Sequence, residues 1–94
     1  MVGKEIGLDT CIKRAGGLVS TRVDEDVVLM SIASGKYYGM DAIGSRIWDI
    51  LEKPVKVAVI VETLMAEYNV DQKRCEEDVL AFLNKMLGKT IILE

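Results

Sequence analysis

The segment Lys36-Tyr-Tyr-Gly-Met-Asp-Ala-Ile-Gly-Ser-Arg-Ile-Trp48 joins a predicted strand to a predicted helix. Its two tyrosines and its methionine are residue types that suit a pleated, half-buried surface. Asp41 follows them with a short acceptor side chain, which satisfies free N–H groups at the start of a helix. From there to Leu51 the apolar residues recur at helical spacing, and they include the only tryptophan of the chain. The pattern therefore predicts that strand changes to helix at Asp41.

The residues before this segment predict a small antiparallel sheet. Val27-Val-Leu-Met-Ser-Ile32 is short, rich in β-branched residues and bounded by turn signals, which is typical of a strand. Because it is apolar on both faces, we expect a central strand, covered by helices on one face and by the N-terminal residues on the other. Ser34-Gly35 supplies a tight turn, so residues 36–40 return as the second arm of a hairpin. Residues 18–22 predict a further short strand, followed by an acidic turn at residues 24–26.

Three helices are predicted after the sheet. The first ends before Pro54, because proline cannot continue the helical hydrogen bonds and disfavours helix at the residue before it. The second covers residues 57–67, where apolar residues follow the i, i+3, i+4 rule. Asp71 caps the third, which continues to about Leu87, and Gly88 is placed to end it in the left-handed conformation. Strands followed by helices predict an α+β fold with a small antiparallel sheet of about three strands.

The composition fits one small domain that covers residues 1–94, with its weakest pattern in residues 1–26. The net charge is −3 and no basic run exceeds two residues, which argues against a nucleic-acid partner. Cys11 and Cys75 follow no secretory signal, so we expect reduced thiols and a cytoplasmic protein. The apolar run at residues 57–61 is far shorter than the ~20 residues that cross a bilayer, so no membrane partner is expected.

The sequence offers no combination of residues suited to catalysis. It contains no histidine, which removes the commonest general base and the commonest metal ligand. The adjacent carboxylates of residues 76–78 point in different directions on a helix, so we interpret them as a solvated face. Cys75 lies in an apolar helical stripe and is predicted to be a small core residue. We therefore predict a protein that is not an enzyme, with no catalytic residue, no cofactor and no metal.

What remains is a surface that suits an extended peptide. If residues 36–40 form the edge of the sheet, a peptide can add to them as a further strand. The long helix at residues 71–87 can then form the other side of a groove. Alternatively, Tyr37 and Tyr38 only pack the hairpin; the residues alone leave both interpretations open.

The pattern Gly-Lys-Tyr-Tyr-Gly-Met-Asp-x-x-Gly-x-x-Ile-Trp-x-x-Leu resembles the pyrroloquinoline-quinone biosynthesis protein D family. The similarity extends from about Val27 to Leu93, although Met40-Asp41 stands where the family usually has Leu-Asn. Members and relatives, including free-standing leader-binding proteins of lasso-peptide pathways, bind the leader segments of ribosomally made precursor peptides. The resemblance implies a winged-helix-type domain that binds a precursor leader peptide and presents it to a processing enzyme, either a leader protease or a radical SAM enzyme.

The resemblance also implies a binding site. In the family the leader pairs with the third strand and packs against the third helix. Carried over by position, the peptide-binding residues are Tyr37, Tyr38, Gly39, Met40, Arg74, Cys75, Asp78, Val79 and Phe82. Arg74 and Asp78 are four residues apart on one helix and can also pair with each other.

Two other functions remain open from the sequence. The first is a winged-helix DNA-binding regulator, since a fold does not determine a function. Residues 71–85 carry three basic and four acidic residues, which is a poor composition for a helix beside phosphates. The second is a structural subunit of a larger enzyme. The sequence also leaves open whether the protein forms a dimer through a sheet edge.

Overall fold

The computed structural model describes residues 6–94, and within them the chain forms six strands and three helices. In chain order they are β1 (Cys11–Arg14), β2 (Leu18–Val23), β3 (Asp26–Ser31), β4 (Tyr37–Gly39), α1 (Ala42–Ile50), β5 (Val55–Lys56), α2 (Val57–Glu67), α3 (Gln72–Met86) and β6 (Ile91–Leu93). The predicted α+β class and its three helices are confirmed. The predicted N-terminal segment 1–26 includes residues 1–5, which lie outside the described residues.

The first sheet has the order β2-β3-β4, with β3 in the centre as predicted. Both of its connections are hairpins between strands that are neighbours in sequence, and all of its pairings are antiparallel. Gly35 has a φ of 72°, so the turn before β4 needs a residue that tolerates the left-handed conformation. Val27 and Leu29 are buried on the inner face of this sheet, toward the helices.

The second sheet has the order β5-β1-β6 and was not predicted. The fully buried Ile12 of β1 pairs with Val55 on one side and Leu93 on the other. The prediction that the N-terminal residues cover the outer face of the first sheet is wrong, because β1 makes its hydrogen bonds within this second sheet. The outer face is open instead, with Val19 49% and Tyr37 70% exposed.

Each helix begins and ends close to its predicted position. The Asp41 carboxylate accepts a 2.7 Å hydrogen bond from the Gly44 N–H at the start of α1. The Asp71 carboxylate accepts a 3.1 Å bond from the Arg74 N–H at the start of α3. Gly88 follows α3 with a φ of 83°, as its predicted role requires. These three predictions are confirmed, because capping depends on residues that are close in sequence.

A buried hydroxyl joins α1 to the first sheet. Ser45 Oγ accepts a 2.8 Å hydrogen bond from the Val27 N–H and donates a 3.3 Å bond to the Met40 carbonyl. The sequence analysis missed this contact, because a serine inside a helix carries no sign of the strand it will meet. It fixes the start of α1 against β3, and thereby the position of the helix beside β4.

Arg14 joins the second sheet to the end of α1. Its Nη2 donates a 2.6 Å hydrogen bond to the Trp48 carbonyl, and its guanidinium carbon lies 4.2 Å from the centre of the indole ring. Trp48 is buried, as predicted. Within residues 6–94, none of the helices combines the length and the apolar character needed to span a membrane.

Candidate functional site

A cavity of about 350 Å³ opens between α1, α3 and the segment that joins α2 to α3. We call it the α1–α3 groove. Its lining residues are Asp41, Ile43, Gly44, Ile47, Leu64, Tyr68, Val70, Arg74, Cys75, Asp78, Val79 and Phe82. Its volume lies at the lower end of the range of about 300–1,000 Å³ found for ligand pockets, so it suits a few apolar side chains.

The bottom of the groove is apolar and its rim is amphipathic. Ile47 and Val79 are buried, whereas Ile43, Tyr68 and Val70 are each about two-fifths exposed. Exposed apolar side chains that cluster around a cavity favour a binding surface over an ordinary solvated face.

The edge of β4 adjoins this groove, because β4 leads through Met40 directly into the first turn of α1. The Met40 N–H donates to the Val27 carbonyl at 2.9 Å, and the Ser31 N–H donates to the Lys36 carbonyl at 2.9 Å. In an antiparallel pair such bonds recur at every second residue, which places Tyr38 opposite Leu29 in a hydrogen-bonded pair. The main-chain groups of Tyr37 and Gly39, in between, therefore face away from β3, toward an edge at which no strand within residues 6–94 pairs with β4. We call it the open edge.

The four residues predicted to bind peptide on β4 and after it face in two directions. Tyr37 and Gly39 offer main-chain donors and acceptors to the open edge, whereas those of Tyr38 and Met40 face β3. The Met40 side chain is buried, and Tyr38 packs against the core from the inner face. Thus Tyr38 and Met40 support the strand, and only Tyr37 and Gly39 present a hydrogen-bonding edge.

The five predicted residues of α3 are brought together on one side of the groove. Arg74 and Asp78 lie at the rim, where Arg74 Nε is 3.4 Å from a carboxylate oxygen of Asp78. Both side chains are more than two-thirds exposed, and such pairs contribute only about 0–1 kcal/mol. Their pairing leaves both groups accessible to a ligand.

Cys75 is buried below this rim, and its predicted core position is confirmed. Burial raises the pKa of the thiol, and the nearby carboxylates of Asp78 and Glu76 raise it further. Because the thiolate is the reactive form, this environment makes Cys75 a poor nucleophile. The thiol contributes apolar surface to the groove.

An ion pair holds the third side of the groove in place. Arg46 of α1 donates two hydrogen bonds to Glu67 at the end of α2, from Nε at 2.8 Å and from Nη2 at 2.6 Å. These bonds lower the pKa of the Glu67 carboxyl and raise the pKa of the Arg46 guanidinium. The bidentate contact fixes α2 against α1 immediately before Tyr68 enters the rim.

Sequence analysis missed the residues that α1, α2 and the α2–α3 segment contribute to the groove. On α1, Ile43 and Ile47 belong to the same apolar stripe that was assigned to the core, and periodicity does not separate the two roles. Tyr68 and Val70 carried a usable signal, since they are apolar residues in a short connection between helices.

Known proteins resemble this chain in sequence and in fold. The chain is similar to TbiB1, which was solved in complex with the TbiA(beta) leader peptide. The two chains are 40% identical in sequence and superpose with a TM-score of 0.76, and the match covers 82% of this chain and 90% of TbiB1. A lasso peptide synthetase B1 complexed with the leader peptide has the same fold, with a TM-score of 0.76. Its sequence is 20% identical, and the match covers 86% of this chain and 96% of that one. No curated protein matches the sequence. The family model of coenzyme PQQ synthesis protein D matches residues 26–92, and the chain belongs to that family.

Proposed function

We propose that this protein recognises the leader segment of a ribosomally synthesised precursor peptide and presents it to a processing enzyme. The observation that carries the proposal is the open edge of β4 beside the apolar α1–α3 groove. The similarity to TbiB1, whose structure holds a leader peptide, supports the same conclusion.

The peptide would bind as a fourth strand on β4. The main-chain groups of Tyr37 and Gly39 are two residues apart and face the same way, which is the spacing of an antiparallel or parallel ladder. Alternate side chains of an added strand lie on alternate faces of the sheet. Half of them would therefore lie on the inner face, on the same side as α1 and α3.

Specificity would come from the groove. Apolar leader side chains on the inner face would enter the cavity and contact Cys75, Val79 and Phe82. Arg74 and Asp78 at the rim would make polar contacts that favour one leader over another. These residues, with Tyr37 and Gly39, are the peptide-binding residues that we propose.

The protein would bind the peptide without changing it chemically. The groove has a thiol with a raised pKa and an exposed ion pair, neither of which is suited to acid–base or nucleophilic catalysis. Cleavage or modification would belong to a partner enzyme, a leader protease or a radical SAM enzyme, acting in the cytoplasm. Strand addition leaves the far end of an extended peptide free to reach such a partner.

The decisive experiment is a calorimetric titration of the purified protein with the N-terminal segment of a short precursor peptide encoded beside its gene. We expect a Kd of about 1 μM or lower, equivalent to about −8 kcal/mol. A scrambled peptide of the same composition is the control for nonspecific apolar binding. A duplex DNA titration serves as a second control, because the sequence had left a DNA-binding regulator open. Equal binding of native and scrambled peptides would contradict the proposal.

A further inference from the structure

Gly44 lies buried in the first turn of α1 and faces Phe82 of α3. A Cβ atom placed on Gly44 would lie 3.2 Å from Phe82 Cε1, 3.3 Å from Phe82 Cζ and 3.2 Å from Asp41 Oδ1, the oxygen that caps the helix. The two carbon–carbon distances are shorter than an ordinary van der Waals contact, which is about 3.5–4.0 Å. A side chain at this position therefore requires the end of the phenyl ring and the capping carboxylate to shift by a few tenths of an ångström.

The backbone does not explain this glycine. Gly44 has no left-handed φ, unlike Gly17, Gly35 and Gly88. Glycine inside a helix is less favourable than alanine by about 1 kcal/mol. The chain thus carries a helix-weakening residue at a place where its benefit is space for the Phe82 ring and for the capping carboxylate of Asp41.

The ring of Phe82 reaches from α3 to the first turn of α1. Gly44 is five residues after Gly39, the last residue of β4, and Phe82 and Gly44 both line the groove. The first turn of α1 follows β4 after two residues, so a peptide paired with β4 lies close to the helix turn that Phe82 contacts. Phe82 is only half-buried, and its neighbours in the helix, Val79 and Leu83, are buried on the core side. Because the core side of α3 is filled and Phe82 lines the cavity, a displaced ring has the groove as its accessible space.

We infer that Gly44 is a positioning residue for leader binding, because it lets Phe82 lie against α1 and thereby keeps the passage from the β4 edge to the groove open. The inference rests on the proposed function and adds a determinant of specificity to it. A larger residue at position 44 narrows the passage and excludes bulky apolar leader side chains. The recognised peptide is accordingly one that places a large apolar side chain beside Phe82.

The test compares the parent with Gly44→Ala, Phe82→Leu and the double variant, by the same calorimetric titration with the leader segment and by thermal unfolding. We expect Gly44→Ala to weaken leader binding about tenfold. Its Tm should change by no more than about 5 °C, because the gain from the better helix former is opposed by the crowding of Phe82 and of the Asp41 cap. Phe82→Leu removes the end of the ring and, because Phe82 is a proposed contact of the leader, should weaken binding by itself. In the Phe82→Leu background, Gly44→Ala should then change the affinity less than about twofold.

Gly16→Ala is the matched control. A Cβ at Gly16 meets nothing within 4 Å, its φ is not left-handed, and the residue lies outside the groove. It should leave the affinity unchanged within twofold.

The outcomes separate this inference from the proposed function. If the parent binds the leader and Gly44→Ala binds it equally well, the inference is wrong and the function stands. Losses that simply add in the double variant would also overturn it, because they would show that Gly44 does not act through Phe82. If Gly44→Ala fails to fold, comparison of the double variant with Phe82→Leu still decides: equal affinity supports the inference, and a tenfold difference contradicts it. If the parent itself does not bind, the proposed function fails and the inference fails with it.

Discussion

The two edges of the first sheet offer similar backbones but different surroundings. At the β2 edge, the register and the bond from the Ile32 N–H to the Gly17 carbonyl turn the main-chain groups of Leu18, Ser20 and Arg22 outward. β2 has six residues and β4 only three, so β2 offers more hydrogen-bonding groups. An argument from backbone groups alone would therefore place a peptide on β2.

The side chains beside the two edges instead favour β4 as the place for a peptide. The cavity next to β2 is about 250 Å³ and is lined largely by polar groups, including Arg14, Ser20 and the Arg22–Asp49 ion pair at 2.6 Å. Charged side chains at an edge discourage the addition of another strand. The cavity next to β4 is larger and mostly apolar. The apolar groove beside β4 is therefore the reason why we propose the peptide site at this edge and not at β2.

The largest effect on leader binding is expected when the β4 edge loses a donor. Tyr37→Pro removes an N–H that faces the open edge and leaves the bonds between β3 and β4 intact, and proline is tolerated on such edges. Loss of a main-chain bond, together with misalignment of the added strand, should weaken leader binding at least about tenfold. Calorimetry with the leader segment measures it.

Ser20→Pro is the matched control on the other edge, because it removes an outward N–H from β2 in the same way. It should leave leader affinity within about twofold of the parent. If Ser20→Pro abolished binding and Tyr37→Pro did not, the peptide site would lie on β2. Tyr37→Phe keeps the main-chain N–H and removes only the hydroxyl group, so it should bind the leader as tightly as the parent does.

The second prediction tests whether the β2 side of the molecule is structural. Arg14→Ala removes the hydrogen bond to the Trp48 carbonyl and the contact with the indole ring, and should lower the free energy of unfolding by about 2 kcal/mol. Arg14→Lys should recover only part of this, because an ammonium does not reproduce the planar fork of the guanidinium. Urea unfolding measures both. The leader affinity of the folded Arg14 variants should equal that of the parent. A weaker affinity would contradict the interpretation that the β2 side is structural and the β4 side binds the peptide.

The third prediction concerns the rim of the groove. Arg74→Ala should weaken leader binding by about threefold to fivefold and leave the Tm unchanged within about 2 °C, because the side chain is exposed and its ion pair with Asp78 is weak. Asp78→Ala should have a similarly small effect. Lys73→Ala is the control, since this neighbour lies on the same helix but not in the groove. If the Arg74 and Asp78 variants bind as well as Lys73→Ala, the peptide does not reach this part of the rim.

Part of this fold could be predicted from the sequence and part could not. The hairpins of β2, β3 and β4 and the three helices depend on turns, caps and periodicity over a few residues, and they were predicted. The second sheet was not, because β1, β5 and β6 pair strands of four, two and three residues that lie far apart in sequence. Such short segments carry little pattern of their own, and their partners determine them.

The candidate site likewise contains residues that were predicted from the sequence and residues that were not. The α3 side was predicted from the family resemblance, whereas Gly44 and Ile47 of α1 were not among the predicted site residues. That Tyr37 and Gly39, rather than Tyr38 and Met40, face the open edge depends on the register with β3. One residue of slippage would exchange the two pairs, and no local pattern in the hairpin determines that register.

The smallest effect is expected from the ion pair that fixes the third side of the groove. Arg46 lowers the pKa of Glu67 below its ordinary value of 4.5, so the folded protein holds this carboxylate more strongly in its charged form. A lowered pKa in the folded state stabilises the protein above the unfolded pKa, and this contribution is lost as the pH falls through the folded pKa. The parent should therefore be slightly more stable than Glu67→Gln at pH 7, and the difference should shrink as the pH falls below 4.5 toward the lowered pKa of the folded protein. Thermal unfolding of both proteins between pH 7 and pH 3 measures it, with Glu62→Gln on the same helix as the control. A difference that does not shrink at all between pH 4.5 and pH 3 would show that the amide disturbs packing beside Tyr68, and that the charge of Glu67 is not what holds α2 against α1.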